Sequence, residues 1–458
     1  MAEEHLYRDQ VLEVEPHGIE PVKDAERHGR PFNAFTLWFG ANVEFATLTT
    51  GALMVTLFGL SFWQGITGVV IGNLLGVIFL GVLSTFGPKM GIPQLIQSRR
   101  AFGFFGNFFP AGLNFIAGVG WFAVNTVLGV FALDWLLHLG FTVSLVIMAA
   151  IQIAFAIYGY NLIHAFEKIM AVVLTILFLI VTVFAASHID YALSMNVKAP
   201  VFSGLSGSLI LSVGVAFSYI LGWMAFASDY TRYLPKDTPS GKIFWNVSLS
   251  TFISCVWIEG LGVGLATIHP VFVPTDLVTR LLPYSLGVFA MIAVALGTIT
   301  ANVLNVYSGA LSILAIDVSA VRAVFPKRWV AALVLGVLGT VLSFAGRSGY
   351  YNKYTDFLLL LAYWVAPWLA VVFFDYMVIH RGREGISPFY DRSRGFGPGF
   401  WAWLVGILAS VPFFNQSIYL GAIARNLPQL GDISYYVSFV VAAVIYLAFG
   451  RMGLARDS

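Results

Sequence analysis

Phe39-Gly40-Ala41-Asn42-Val43-Glu44-Phe45 sets a carboxylate, an amide and a glycine in the middle of an apolar stretch, residues 33–60, that is long enough to cross a bilayer. A charge at that depth is expensive unless it faces a cavity, a ligand or an ion. Transport proteins use such interrupted spans as binding sites. Further stretches of similar length fill the rest of the chain, at 63–86, 104–137, 142–160, 165–188, 203–228, 241–268, 284–316, 329–346, 354–379, 399–417 and 433–450. One span takes roughly 20 apolar residues, so the sequence predicts an all-α polytopic membrane protein with twelve spans. The third and eighth are long enough to be tilted.

Composition agrees. The 458 residues are 59% hydrophobic and only 10% charged, with a mean hydropathy of +0.83. Soluble domains carry about 25% charged residues. The 16% aromatic content, with 12 Trp, suits interfacial belts. A formal charge of +2 is too small to point to nucleic acid, and the single cysteine, Cys255, excludes an internal disulfide framework. Residues 1–30 are polar without an apolar core, so no cleavable signal peptide is expected.

With the N-terminus inside, 20 of the 25 Lys and Arg fall in cytoplasmic segments. Only Lys198, Arg280, Arg347, Lys353 and Arg425 fall outside. The positive-inside rule then puts both termini in the cytoplasm of a cell membrane. The break at Gly40–Asn42 in span one finds a counterpart in span six, where Gly214 and Gly222 flank Phe217-Ser218-Tyr219. Interruptions five spans apart predict a five-plus-five inverted repeat. The expected organisation is a tail (1–30), a first repeat (31–188), a second repeat (203–380), spans eleven and twelve (399–450) and a C-terminal tail (451–458). Glycine is also common in membrane helices for packing reasons alone.

Polar residues inside the spans are the candidates for function. Trp121 and Asn125 stand four apart on span three and share a face. An indole can stack on a flat heterocycle while an amide addresses its edge. Taken alone, the pair is better explained by a Trp packed on lipid or a neighbour and an Asn bonded across helices. Asn302 and Asn305, at i and i+3 on span eight, lie among Thr298, Thr300, Tyr307 and Ser308 and must line a cavity or a helix seam. On span six, Phe217, Tyr219 and Trp223 are placed for a ligand, and Asp229 and Arg232 for a gating pair at the cytoplasmic end. Glu44 could take up a proton or accept a ring N–H, or lock two helices through a basic partner. Glu259 and Asp375 are weaker candidates, and His164 and His188 fall at span ends. No metal-ligand spacing, phosphate loop or nucleophile–base motif is present, so no cofactor and no enzyme activity are expected.

Together these residues resemble the nucleobase–cation symporter family, in particular its purine–cytosine permease branch. The resemblance covers roughly residues 30–450. It rests on Gly91-Ile92-Pro93-Gln94-Leu95-Ile96-Gln97-Ser98-Arg99-Arg100-Ala101-Phe102-Gly103, Gly120-Trp121-Phe122-Ala123-Val124-Asn125, Gly222-Trp223 with Ala227-Ser228-Asp229-Tyr230-Thr231, Asn305-Val306-Tyr307-Ser308 and Tyr363-Trp364-Val365-Ala366-Pro367-Trp368.

The resemblance implies a leucine-transporter-like inverted repeat in spans one to ten and import of a nucleobase, driven by H⁺ or Na⁺. It needs no partner beyond the lipid bilayer and the substrate. It implies that Trp121 stacks on the base, that Phe217 or Trp223 closes the other side, and that Asn125, Asn302, Asn305 and Glu44 address the ring. The cation would lie near Gly40, Val43, Gly297 and Thr300. Two departures bear on this. The span-eight hydroxyl pair of sodium-coupled members reads Thr300-Ala301, one ligand short, which tilts the expectation to H⁺ with Glu44 as its carrier. Cytosine-specific members have Gln where this chain has Gly118. Import of a hydantoin, allantoin or vitamin-like ring with Na⁺ is the alternative, and a membrane enzyme or channel fits the residues less well.

Overall fold

The structure, a computed structural model, describes residues 12–196, 204–270, 273–347, 350–381 and 385–457. Arg8, Lys198 and Arg383 of the charge count lie outside the described residues. So do residues 1–11 of the N-terminal tail and the start of the sixth stretch at 203.

Span one is two short helices, α1 (Pro31–Asn42) and α2 (Phe45–Thr56), joined at Val43-Glu44. The break is built by its own side chains. Glu44 is extended (φ −150°, ψ 173°) and its Oε2 accepts the Ala46 N–H at 2.8 Å, which N-caps α2. Asn42 Nδ2 donates to the Trp38 carbonyl (2.6 Å) and Thr47 Oγ1 donates to the Asn42 carbonyl (2.7 Å). The polar groups freed where the helix parts are thereby satisfied inside the bundle, as a membrane interior demands.

The remaining spans are α3 (Phe62–Ser84), α4 (Phe108–Leu137), α5 (Phe141–Tyr158), α6 (Tyr160–Ala186), α7 (Gly204–Met224), α8 (Ser240–Ile268), α9 (Tyr284–Leu314), α10 (Arg328–Gly346), α11 (Tyr350–Phe374), α12 (Pro398–Ser410) and α13 (Ser434–Asp457). Among the described residues nine helices are long and apolar enough to cross a membrane, and shorter apolar helices complete the set. No strand occurs among the described residues; Asn415 and Leu420 form an isolated bridge.

Two boundaries differ from the sequence expectation. α7 runs unbroken through Gly214 and Gly222 and unwinds only after Met224. There i→i+3 bonds predominate, Phe226 N to Trp223 O (3.0 Å), Asp229 N to Phe226 O (2.9 Å) and Thr231 N to Ser228 O (3.2 Å), beside one i→i+4 bond from Arg232 N to Ser228 O (3.0 Å). Glycine permits a break without forcing one. Spans four and five are parted by Gly159 alone, at φ +91°. His164 therefore belongs to the second turn of α6, not to a loop.

The packing obeys the predicted repeat. Span two packs on span six as span seven packs on span one, and span one packs on span five as span six packs on span ten. Span three meets span nine as span eight meets span four. Adding five to each span number carries one set of contacts into the other, while α12 and α13 pack on each other and on α11.

Candidate functional site

The broken span one, the face of α7 that ends in Trp223, and the long spans α4 and α9 converge on one polar cluster inside the bundle. Trp121 and Trp223 lie nearly parallel across it, ring centroids 6.5 Å apart and planes 10° apart. Trp223 is held by its indole N–H, which donates to Asn42 Oδ1 at 3.0 Å, and by Trp38 packed edge-on at 5.6 Å. Trp121 is walled edge-on by Tyr219, Tyr354 and Phe357. Gly222 leaves room for it, since a Cβ there would stand 3.0 Å from the Trp121 indole nitrogen.

Glu44 is buried, with both oxygens engaged. Oε2 caps α2, and Oε1 accepts from the Tyr219 hydroxyl at 3.2 Å. Tyr219 also meets Thr47 Oγ1 at 2.7 Å. Phe217 lies on another face of α7, and its ring meets Tyr435 of α13 with centroids 6.4 Å apart. Tyr219 and Trp223, at i and i+4, form the inward face instead.

The three asparagines do different work. Asn302 Nδ2 lies 3.0 Å from each of the Phe122 carbonyl, Thr126 Oγ1 and Gln152 Oε1. Its Oδ1 accepts from Asn125 Nδ2 (3.2 Å) and Asn305 Nδ2 (3.4 Å). The backbone acceptor at Phe122 fixes which way Asn302 points, and Asn302 in turn orients the other two. Asn125 and Asn305 are left with bare, buried Oδ1 atoms. Gln152, on span four, went unnoticed in the sequence because one amide in an apolar helix reads as incidental. A Cβ at Gly118 would meet Leu335 (3.2 Å), the Asn305 carbonyl and Gly309 (3.4 Å each), so this position faces the seam of spans three, eight and nine.

The residues named for a cation also meet. Thr300 Oγ1 lies 2.7 Å from the Gly297 carbonyl and 3.5 Å from the Gly40 carbonyl. A Cβ at Gly297 would stand 3.2 Å from the Val43 carbonyl. Sequence reading missed Glu167 of α6. It is fully buried, and a Cβ at Gly40 would fall 2.5 Å from its Oε2. Its signal, a lone carboxylate in an apolar run, was hidden by the misplaced start of span five.

Asp229 and Arg232 make no direct ion pair with each other, because each is bound elsewhere. Asp229 Oδ1 accepts the Gln94 N–H at 2.8 Å, at the start of a short helix, Gln94–Gln97. Arg232 reaches Glu15 of the N-terminal segment instead (Nη2 to Oε1, 3.0 Å) and donates to the Gly18 carbonyl (2.8 Å). Glu15 also accepts from the Tyr307 hydroxyl (2.9 Å), the Tyr160 N–H (3.1 Å) and the Tyr233 hydroxyl. Burial pushes the Glu15 carboxyl up, but Arg328 and Arg232 together hold it below the usual carboxylate range. Glu259 accepts from Asn73 (2.6 Å), and Asp375 pairs with Arg100 (2.7 Å) and His380 (2.8 Å), so both tie helices together away from the cluster.

Residues 21–438 match the family model described as permease for cytosine/purines, uracil, thiamine, allantoin. The chain belongs to this permease family. YxlA of Bacillus subtilis (strain 168), which carries a purine-cytosine permease name, is 30% identical over 97% of this chain and 98% of its own length. The purine-cytosine permease fcyB of Emericella nidulans is 28% identical over 95% of this chain and 88% of its own. Among solved structures, Mhp1, a nucleobase-cation-symport-1 family transporter in a closed conformation with bromovinylhydantoin bound, superposes with a TM-score of 0.75. It is 19% identical and covers 96% of this chain and 95% of its own. This permease is thus a multi-pass membrane transporter, not an enzyme, with the leucine-transporter-like architecture.

Proposed function

We propose that this permease imports a nucleobase, a purine or cytosine, across the cell membrane by symport with a cation and alternating access, with both termini in the cytoplasm. The parallel indoles of Trp121 and Trp223 carry the reading. Stacked bases repeat about every 3.4 Å, so one flat ring held between two others needs about twice that spacing. The indole centroids lie 6.5 Å apart with planes 10° from parallel, a distance of that order. Asn125 and Asn305 present bare carbonyl oxygens that suit the N–H donors of a base edge, and Asn302 serves as the strut that aims them. Phe217 and Gly118, turned elsewhere, have no part in this reading.

On the coupling ion, the sequence tilted toward H⁺ through Glu44. The engagement of both Glu44 oxygens and the presence of Glu167 beside Gly40 support a cation bound by oxygens instead. Uptake of labelled adenine, guanine, hypoxanthine and cytosine, in cells without their own carriers, tests the substrate. Saturable uptake of at least one base, competed by the same base unlabelled, is expected. A protein that imports none of the four but takes up a hydantoin would replace this reading.

A further inference from the structure

Glu167 has no role in the site as described so far. Neither of its carboxylate oxygens has a hydrogen-bond partner among the described residues, although the side chain is completely buried. Unpaired charges are not left in apolar interiors without compensation. The carboxyl lies against Gly40, in the last turn of α1, where helix carbonyls gather and the helix dipole presents its negative end. The backbone carbonyls gathered at that end of α1 are acceptors like the carboxylate, so a cation between carboxylate and carbonyls satisfies both.

We infer that Glu167 is the anionic ligand of the coupling-cation site, standing on its cytoplasmic side, and that the cation is Na⁺. The inference rests on the symporter reading above. Hard monovalent and divalent cations are held by sets of oxygen ligands, about six for the larger ones. The Gly40, Val43 and Gly297 carbonyls and Thr300 Oγ1 supply four. Ala301 contributes none, and Glu167 brings the set to five with the one negative charge that a monovalent ion needs. Glycine at position 40 is what admits it, because a side chain there would displace the carboxylate.

The neighbouring groups leave Glu167 to this role. His164 stands one turn earlier on the same helix, ring to ring with Tyr160 (4.3 Å), and Lys168 is exposed. Tyr230, on the unwound end of span six, donates to the Leu304 carbonyl at 2.8 Å. Tyr307 of span eight is bound to Glu15, and Glu259 of span seven to Asn73. Glu44 is held by Tyr219 and Ala46.

The test uses purified full-length permease in Na⁺-free buffer with no base present, its thermal unfolding followed as NaCl replaces choline chloride at constant ionic strength. A saturable rise in Tm is expected for the parent and for Asp391→Asn, an exposed loop control. Glu167→Gln should need at least tenfold more Na⁺ for the same rise, and Glu167→Asp should fall between. A parent indifferent to Na⁺, or a Glu167→Gln protein with the parent's Na⁺ affinity, overturns the inference. Should Glu167→Gln fail to fold, Glu167→Asp decides, and an unchanged Na⁺ affinity overturns it equally. Exchange of labelled base in proteoliposomes is measured separately. A parent that binds Na⁺ but exchanges no base defeats the substrate reading and leaves the ligand assignment standing. Full accumulation driven by a pH gradient without Na⁺ defeats the ligand assignment alone.

Discussion

Trp121 illustrates how one side chain can be read at two levels. Its sequence context allowed stacking on a substrate or packing on a neighbour, and the parallel Trp223 across the cluster favours stacking. Trp121→Phe keeps a flat face and Trp121→Ala does not. Aromatic stacking is worth about 1–3 kcal/mol per base, so Trp121→Ala is expected to weaken base binding roughly five- to 150-fold, with Trp121→Phe close to the parent. Equal affinities in all three proteins, measured by competition uptake, would remove the stacking role. The asparagines separate in a similar way. Asn302→Leu takes the acceptor from two buried amide donors, Asn125 Nδ2 and Asn305 Nδ2, and removes the amide that Phe122, Thr126 and Gln152 surround, so it should lower the melting temperature of the empty protein. An unsatisfied buried polar group costs about 1–3 kcal/mol. Asn305→Leu removes a bare acceptor and one long hydrogen bond. It should weaken base binding while leaving the melting temperature nearer to the parent's. If both variants melt alike and bind alike, the division between strut and ligand is wrong. Nothing in the sequence separates Asn302 from Asn305, because the difference lies in Phe122, Thr126 and Gln152 on two other spans.

At the scale of elements, hydropathy located the spans because each must satisfy its backbone internally and present apolar side chains to lipid. It misplaced the break in span six. Gly214 and Gly222 looked like interruptions, yet both serve contact: a Cβ at Gly214 would collide with Tyr435 and one at Gly222 would crowd Trp121. The actual unwinding, after Met224, occurs in ordinary residues whose polar side chains bond across the bundle, as Ser228 does to the Leu83 carbonyl (3.0 Å) and Thr231 to the Ser84 carbonyl (2.7 Å). Partners so distant in the chain are invisible to a local window. Span one was legible because Glu44 is expensive wherever it sits in a membrane. Helix crossings rest on glycine at other points. At Gly51 of α2 a Cβ would run into the Glu259 carbonyl of α8, whereas at Gly112 of α4 there is nothing within 4 Å. Gly51→Ala must push spans one and seven apart, and overpacking of this kind typically costs about 1–3 kcal/mol. A lower melting temperature and poor folded yield are expected for Gly51→Ala, and a protein close to the parent for Gly112→Ala. A fully stable Gly51→Ala protein would mean that the two helices can separate freely.

For the molecule as a whole, the N-terminal segment closes one end of the bundle. Glu15 is inserted among Arg232 of the unwound span six, Tyr307 of span eight, Arg328 of span nine and the turn at Gly159 between spans four and five. A Cβ at Gly159 would stand 2.6 Å from Glu15 Oε2, so that turn is shaped to the carboxylate. Elements from both repeats are thereby joined at one residue, and a transporter that opens toward this end must first break the joint. Losing one partner of a buried ion pair costs about 3–5 kcal/mol, because Arg232 and Arg328 would remain without it. Glu15→Gln is therefore expected to shift the population toward the state open at this end. The sign of the pH dependence follows from the lowered Glu15 carboxyl. Its contribution is complete above the ordinary carboxylate range, near about 4.3, and is lost only as pH falls through the lower value in the folded protein. Between pH 7 and 5 the joint should hold in the parent. A cysteine placed at Ser308, which is buried and whose hydroxyl donates to Tyr230 (3.0 Å), reports the opening once buried Cys255 is replaced by serine. Labelling by a thiol reagent should be at least tenfold faster in Glu15→Gln than in the parent, and the parent's rate, corrected for thiolate fraction, should be flat from pH 7 to 5. Equal labelling rates in the two proteins would show that the segment rests on the bundle without holding it shut.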